Sequence, residues 1–318
     1  MRIKPALQAL ILSFLCAPFA LAQSPVRFAV VDLVGDEGRE VSTLLRDAAR
    51  ASNAEFELPD DDLVRAASRG ASYAGELNLS REDARALGQS VGCDFYVLGK
   101  VQTARRQDVG EKFYFDALAG LFFVGTHSGK LVLFAFERAK AQDERQARDQ
   151  LNETLKRNWP RYAEAMSAAR RRQALAIENI AQPSPPSVEV LTDDMAAQGV
   201  EQPVFYQRLK PEYTEQADLA GIVATVELEA VFRDDGTIGE IEVVKWAGFG
   251  LDESAIATVK KLRFKPAARG EKTLTIKGLV RYNFRRPLSQ ADKQEEIERL
   301  KRSLHDINKQ TSGQRPKP

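Results

Sequence analysis

The sequence predicts an α+β protein of two domains. Three observations support this: alternating helix and strand patterns in the first half, a proline-containing junction, and a strand–strand–helix–strand pattern in the second half. A chain of 318 residues is long enough for two domains of ~100–200 residues each. The junction lies at 182–187, where three prolines favour an extended backbone.

These patterns also predict where each segment begins and ends. The segments are a signal peptide at 1–22, an α/β domain at 23–138, a helical segment at 139–182, a linker at 183–202, a second domain at 203–286, an amphipathic helix at 287–310 and a disordered tail at 311–318.

The amino terminus has the composition of a secretory signal. Arg2 and Lys4 precede an apolar run at 6–15, and Ala20 and Ala22 stand at the small-residue positions of a cleavage site. The run is shorter than the ~20 residues of a spanning helix. We therefore expect cleavage after Ala22 and a periplasmic protein. The alternative is an uncleaved segment that anchors the chain in the inner membrane.

The first domain is predicted to be an α/β layer with the order β-α-β-α-α-β-β-β. Apolar residues recur at strand or helix spacing along it, and Ser80 with Asp83 is typical of a helix cap. The expected strands lie at 26–33, 56–58, 94–101, 113–124 and 130–137, and helices at 41–49, from 60 and from 81. Segments 139–158 and 161–182 are rich in Ala, Arg, Glu and Gln and are predicted helical, with Pro160 either starting a new helix or kinking a long one.

The second domain shows a strand pattern followed by a turn and a helix. Val226, Leu228 and Ala230 alternate with polar residues, which is the period of a strand with one buried face. Asp235-Gly236 predicts the tight turn to a returning strand at 238–244. Acidic residues at 252 and 253 favour a helix start, and a last strand follows at 276–284. The unit is β-β-α-β, a sheet with a helix across one face.

An ordered series of residues in this second domain resembles the carboxy-terminal domain of TonB, over about residues 203–286. The series consists of Pro211, Tyr213, Ala217, Gly221, Asp234-Asp235-Gly236, the run Gly248 to Ala255, and Arg263 to Ala267. The chain departs from the family pattern at Thr214, Ala224 and Leu262. In residues 26–137, the runs VRFAVVDL at 26–33 and SVGCDFYVLGKV at 90–101 resemble, more weakly, the amino-terminal domain of TolB and the curli secretion lipoprotein CsgG.

The resemblance implies a role in contact between envelope proteins. Members of this family grip outer-membrane transporters, and their partner segment is a short peptide that adds a strand to the sheet. By that resemblance the docking strand consists of Ile276, Lys277, Gly278, Leu279, Val280, Arg281 and Tyr282. Lys277 and Arg281 are the expected outward selectors. The alternative is that this edge is covered by residues from Leu288 onward or by a second copy of the chain.

Composition and motifs favour no other function class. The 46 basic and 45 acidic residues balance, so no net field draws the chain to nucleic acid or to anionic lipid, and membrane contact is expected to be indirect. Phosphate-binding and hydrolase motifs do not occur, and the two histidines are far apart. The acidic run at 60–62 is better explained as a helix start than as a metal site. We expect no cofactor, no metal and no catalysis.

Two other functions are compatible with the sequence. One is a membrane-anchored energy transducer, although such family members carry a Ser-x-x-x-His pattern in the amino-terminal helix, and His127 and His305 both lie elsewhere. The other is an enzyme whose site is assembled only in the folded state.

Overall fold

The computed structural model describes residues 25–52, 55–107, 112–178, 189–190 and 199–287. The predicted signal peptide, the tail and nearly all of the predicted helix at 287–310 lie outside the described residues.

The first domain has the element order that the sequence predicts. Its strands are β1 (Val26–Val30), β2 (Phe56–Glu57), β3 (Phe95–Gln107), β4 (Phe113–Gly125) and β5 (Lys130–Ala141), and its helices are α1 (Glu40–Arg50), α2 (Asp61–Gly70), α3 (Arg81–Val91) and α4 (Glu144–Glu178). They form a five-stranded mixed sheet of order β2-β1-β3-β4-β5. β1 pairs in parallel with β2 and β3, and the remaining pairs are antiparallel.

Helix and strand boundaries differ from the predicted ones near residue 139. β5 continues to Ala141, so the helical segment begins at Glu144 rather than at 139. It is a single helix of 35 residues that contains Pro160. The acidic run at 60–62 begins α2, where the Asp60 side chain accepts hydrogen bonds from the backbone N–H groups of Asp62 and Leu63. This is the capping geometry that satisfies free amides at a helix start.

The two faces of the first sheet are covered differently. On one face Phe28, Phe123 and Trp159 pack in a core with α1 and α4. The opposite face carries Leu98 and Phe122, which belong to a core shared with the second domain. The first sheet therefore lies between α1 and α4 on one side and α2, α3 and the second domain on the other.

The second domain contains the predicted β-β-α-β unit. Its strands are β6 (Glu189–Val190), β7 (Val200–Glu201), β8 (Val204–Phe205), β9 (Ala224–Phe232), β10 (Ile238–Lys245), β11 (Phe264–Lys265), β12 (Ala267–Arg269), β13 (Lys272–Leu274) and β14 (Ile276–Phe284), and its helices are α5 (Glu215–Ala220) and α6 (Leu251–Val259). The main sheet has the order β10-β9-β14-β6. β6 and β7 lie within the predicted linker at 183–202, so part of that segment is paired strand.

A left-handed turn places one aromatic ring of the second domain inside the shared core. Gly248 and Gly250 have φ angles of 67° and 76°, which glycine adopts without strain, and Phe249 between them also has a positive φ, of 53°. The Phe249 ring is fully buried, and its centroid lies 4.8 Å from that of Phe134 and 5.9 Å from that of Phe122. The turn that starts α6 thus also joins the two domains.

Candidate partner-binding site

The two edges of the main sheet of the second domain have different surroundings. At the β10 edge, Lys245 forms a β-bridge with Ser80 of the first domain. Glu242, also on β10, forms ion pairs with Arg81 and with Lys130, the latter at 2.5 Å. Because an added strand needs unobstructed N–H and C=O groups along an edge, the first domain obstructs this side.

The Glu242 pairs are electrostatically favourable at that edge. Burial alone would raise the pKa of Glu242, but the hydrogen bond from Lys130 and the positive charge of Arg81 outweigh burial and hold the pKa below its usual value. A carboxylate that stays ionised between two cations fixes β10 to the first domain.

The opposite edge belongs to β14, the strand on which the sequence places the docking residues. All nine residues of β14 pair with β9. Ile276 and Lys277 also pair with β6, in parallel. From Gly278 onward no further strand pairs with β14 in the described part of the chain. In an antiparallel pair, alternate residues direct their N–H and C=O groups away from the partner, so this stretch has main-chain groups available.

The two predicted selector side chains lie on one face of β14 and are both in ion pairs. Lys277 Nζ is 2.6 Å from the carboxylate of Glu229, and Arg281 Nε is 2.8 Å from that of Glu227. The hydrogen bond to Glu229 raises the pKa of Lys277. Arg281 is the more exposed of the two and retains further N–H donors that a partner carboxylate could accept from.

The other residues of the predicted strand divide between its two faces. Leu279 is 55% exposed and shares a face with Arg281, since side chains alternate along a strand. Val280 and Tyr282 pack against the core from the opposite face, and burial raises the pKa of Tyr282.

A groove of about 790 Å³ runs beside the unpaired part of β14. One wall is the strand itself, from Leu279 to Tyr282, and the floor includes Leu262. The other wall comes from residues 202–209. The predicted docking residues do not include this second wall. The sequence signal for this wall is the run Val204-Phe205-Tyr206, which consists of three large apolar residues beside a predicted linker.

Within the described ranges, no cluster of three or more His, Cys, Asp or Glu residues could hold a metal ion. Likewise, none of the helices in those ranges is both long enough and apolar enough to cross a bilayer.

Comparison with known proteins identifies the second domain. Residues 210–285 match the family model for the Gram-negative bacterial TonB protein carboxy terminus. A search of curated proteins finds no match.

Several solved structures are similar to parts of the chain. The TonB carboxy-terminal domain of Pseudomonas aeruginosa is 20% identical, covering 29% of this chain and 91% of that one, with a TM-score of 0.24. A hypothetical protein of Chlamydia trachomatis is 11% identical, covering 45% and 99%, with a TM-score of 0.34. The carboxy-terminal domain of LpoB from Escherichia coli is 15% identical, covering 36% and 82%, with a TM-score of 0.25.

The family match covers the strands β9, β10 and β14, the helix α6 and the turn that carries Phe249. The groove wall at 202–209 lies just before it. Residues 210–285 of this chain therefore form a TonB-like domain, similar to the carboxy-terminal domain that TonB-type envelope proteins carry.

Proposed function

We propose that this chain is a non-enzymatic periplasmic protein whose second domain binds a membrane-protein partner by β-strand addition, in TonB-type transmembrane transport. The partner contributes a short extended peptide. The peptide pairs with β14 from Gly278 onward and lies in the groove between β14 and residues 202–209.

One observation carries this proposal: the two edges of the main sheet are not equivalent. The first domain contacts β10 through Ser80, Arg81 and Lys130. β14 borders an open groove instead. Strand addition therefore has one accessible edge in the described structure, and it is the edge that carries the predicted docking residues.

The energetics of strand addition suit a partner that must be released. Each main-chain hydrogen bond contributes only ~0.5–1.5 kcal/mol net, and ordering a flexible peptide offsets part of that gain. Affinity then depends on the side chains beside the strand, while the main-chain pairing fixes the direction and register of the peptide.

Site-specific photo-crosslinking in the native envelope tests the proposal. A photoreactive residue at Leu279 should form an adduct with one membrane protein, because Leu279 lies on the open part of β14. The matched control is Leu175 on α4, which is similarly exposed at 57% but lies on the first domain. Equal adducts from both positions, or none from Leu279, would contradict docking at β14.

The intact mass of the protein from its own host decides between the adaptor and the anchored transducer. A soluble periplasmic protein that begins at Gln23 is expected. A full-length mass recovered in the inner membrane would instead support a transducer anchored by residues 1–22.

A further inference from the structure

We propose that residues 202–209 act as a selecting wall of the groove, with Val204 and Arg208 favouring an extended peptide in which apolar and acidic residues alternate. This inference rests on the proposed function, since it assumes that a peptide adds to β14. It extends that function by assigning a specificity role to residues outside the TonB family match.

The wall is held firmly against the domain. β8 pairs with β11, where Phe205 is opposite Phe264 and Val204 is opposite Lys265. The Phe205 ring lies 5.4 Å from the Phe232 ring and 6.0 Å from the Phe264 ring. These contacts anchor β8 to the core, so its remaining side chains are presented in a fixed position.

Apolar side chains are exposed on both sides of the groove. Val204 is 56% exposed on the wall, and Leu279 is 55% exposed on β14. Both line the groove, together with the partly exposed Phe205. Single exposed apolar residues are ordinary on protein surfaces, but a group around one concavity indicates a surface that a partner covers.

The charged side chains that line the groove have one sign. Arg208 and Arg281 are lining residues, and no Asp or Glu is among the described lining residues. Arg281 is paired with Glu227 on the sheet surface. Arg208 is exposed and makes no ion pair within the part of the chain that the structure describes. A positive groove favours a partner with carboxylates.

The pleat of the sheet sets the spacing of the partner's residues. A strand added to β14 alternates its side chains between the two faces of the sheet. Side chains on the face of Val280 and Tyr282 meet the apolar lining. Those on the opposite face lie beside Leu279 and Arg281, where a carboxylate can accept a hydrogen bond from the guanidinium. Apolar and acidic residues in alternation match both faces.

Synthetic peptides can test this class of partner directly. The probe is a fluorescent nine-residue peptide that alternates Val and Glu, compared with one that alternates Val and Lys and one with the Val and Glu residues in two blocks. With the chain from Gln23 onward, we expect the alternating Val/Glu peptide to bind at least about tenfold more tightly than the other two, a difference of ~1.4 kcal/mol. Equal binding of the three, or no binding of any, would overturn the inference.

Substitutions in the wall test the named residues. Val204→Ser combined with Arg208→Ser should weaken binding of the alternating Val/Glu peptide about tenfold. Tyr206→Ser is the matched control, because Tyr206 is adjacent to β8 and 69% exposed but is not a groove-lining residue. We expect that control to bind within about twofold of the unsubstituted protein.

Backbone methylation of the peptide separates failure of this inference from failure of the proposed function. Two versions of the Val/Glu peptide carry N-methyl groups on alternate residues. One version is methylated in the register of the Val residues and the other in the register of the Glu residues. Strand addition predicts that one register abolishes binding, because only one edge of the peptide pairs with β14. If one register matters but the wall substitutions do not, the wall plays no selecting role while strand addition stands. If neither register matters, strand addition itself is wrong.

Discussion

The ring of Phe249 lies so close to the backbone of Gly120 that a Cβ atom at Gly120 would be 2.5 Å from Phe249 Cζ. Gly120 is on β4 of the first domain, and Phe249 is in the turn that starts α6 of the second. The contact needs a residue without a side chain on one partner and a large ring on the other. It shows that the TonB-like domain is packed directly on the first sheet and shares its core.

Gly120→Ala should therefore destabilise the protein. The added methyl group overlaps the Phe249 ring, and overpacking of a dense core typically costs ~1–3 kcal/mol. Urea unfolding of both variants measures the effect. Gly70→Ala at the end of α2 is the control, since a Cβ there meets no atom within 4 Å. Similar stabilities of the two variants would contradict the close packing of Phe249.

Asn78 joins the domains through its side-chain amide. Its Oδ1 accepts from the Thr225 N–H at 2.9 Å, and its Nδ2 donates to the carbonyl oxygens of Thr225 and Trp246 at 2.8 and 2.5 Å. Asn78→Asp keeps the acceptor but removes both donors and places a carboxylate beside two carbonyl groups. We expect a loss of ~1–3 kcal/mol in the free energy of unfolding.

Asn283→Asp provides the matched control for that substitution. The Thr225 hydroxyl donates to Asn283 Oδ1 at 2.8 Å on the exposed face of the sheet, and a carboxylate still accepts that bond. Its stability in urea should stay close to that of the unsubstituted protein. An equal loss in both variants would mean that the Asn78 donors do not join the domains.

Asp252 should make stability depend on pH. Its carboxylate accepts hydrogen bonds from the backbone N–H groups of Ala247 and Gly248 at 2.8 and 2.9 Å. Burial raises the pKa of Asp252 to about 7, against the opposing effect of those two donors. Between about pH 4 and pH 7 the folded state then holds a proton that the unfolded chain releases. The free energy of unfolding therefore falls as the pH rises through this window, by at most ~1.4 kcal/mol per pH unit.

Asp252→Asn removes this titration, so the slope between pH 4.5 and 7 should flatten in urea unfolding at several pH values. Asp235→Asn is the control: Asp235 is exposed in a turn, and its hydrogen bond from Thr237 holds its pKa below its usual value, outside the window. A slope in the Asp252→Asn variant equal to that of the unsubstituted protein would show that Asp252 does not bind a proton in the folded state.

Lys277→Ala together with Arg281→Ala should weaken capture of the membrane-protein partner. Both cations lie beside the open edge of β14, and their loss leaves Glu227 and Glu229 to repel an acidic peptide. We expect a fall in the yield of adduct from photoreactive Leu279. Unchanged capture would show that Lys277 and Arg281 do not select the partner.

A swap of one ion pair distinguishes recognition from stability. Arg281→Glu combined with Glu227→Arg keeps opposite charges on β14 and β9 but moves the cation one strand away from the edge. We expect normal stability in urea with reduced capture. Full capture by the swapped protein would indicate that only the stability of the sheet depends on this pair.

The sequence by itself determined the longer elements and their order, but not the short strands β6, β7, β8, β11, β12 and β13 or the helix α5. The alternation of Val226, Leu228 and Ala230 and the turn at Asp235-Gly236 are local signals, and local periodicity specifies which face of a strand is buried. The same holds in the first domain for the eight elements from β1 to β5, and for α4, which starts five residues later than predicted. The TonB likeness was visible because its residues follow one another at fixed spacing over 210–285.

Only the tertiary structure decided how these elements meet. Gly120 and Phe249 are far apart in the chain, as are Asn78 and Thr225, and no periodic pattern links such pairs. The sequence predicts β14 as a docking strand, but only the tertiary structure shows that β6 pairs with its first two residues and that residues 202–209 form a wall beside the rest. Periodicity reports which side of an element is buried, whereas the element that covers it depends on packing between distant segments.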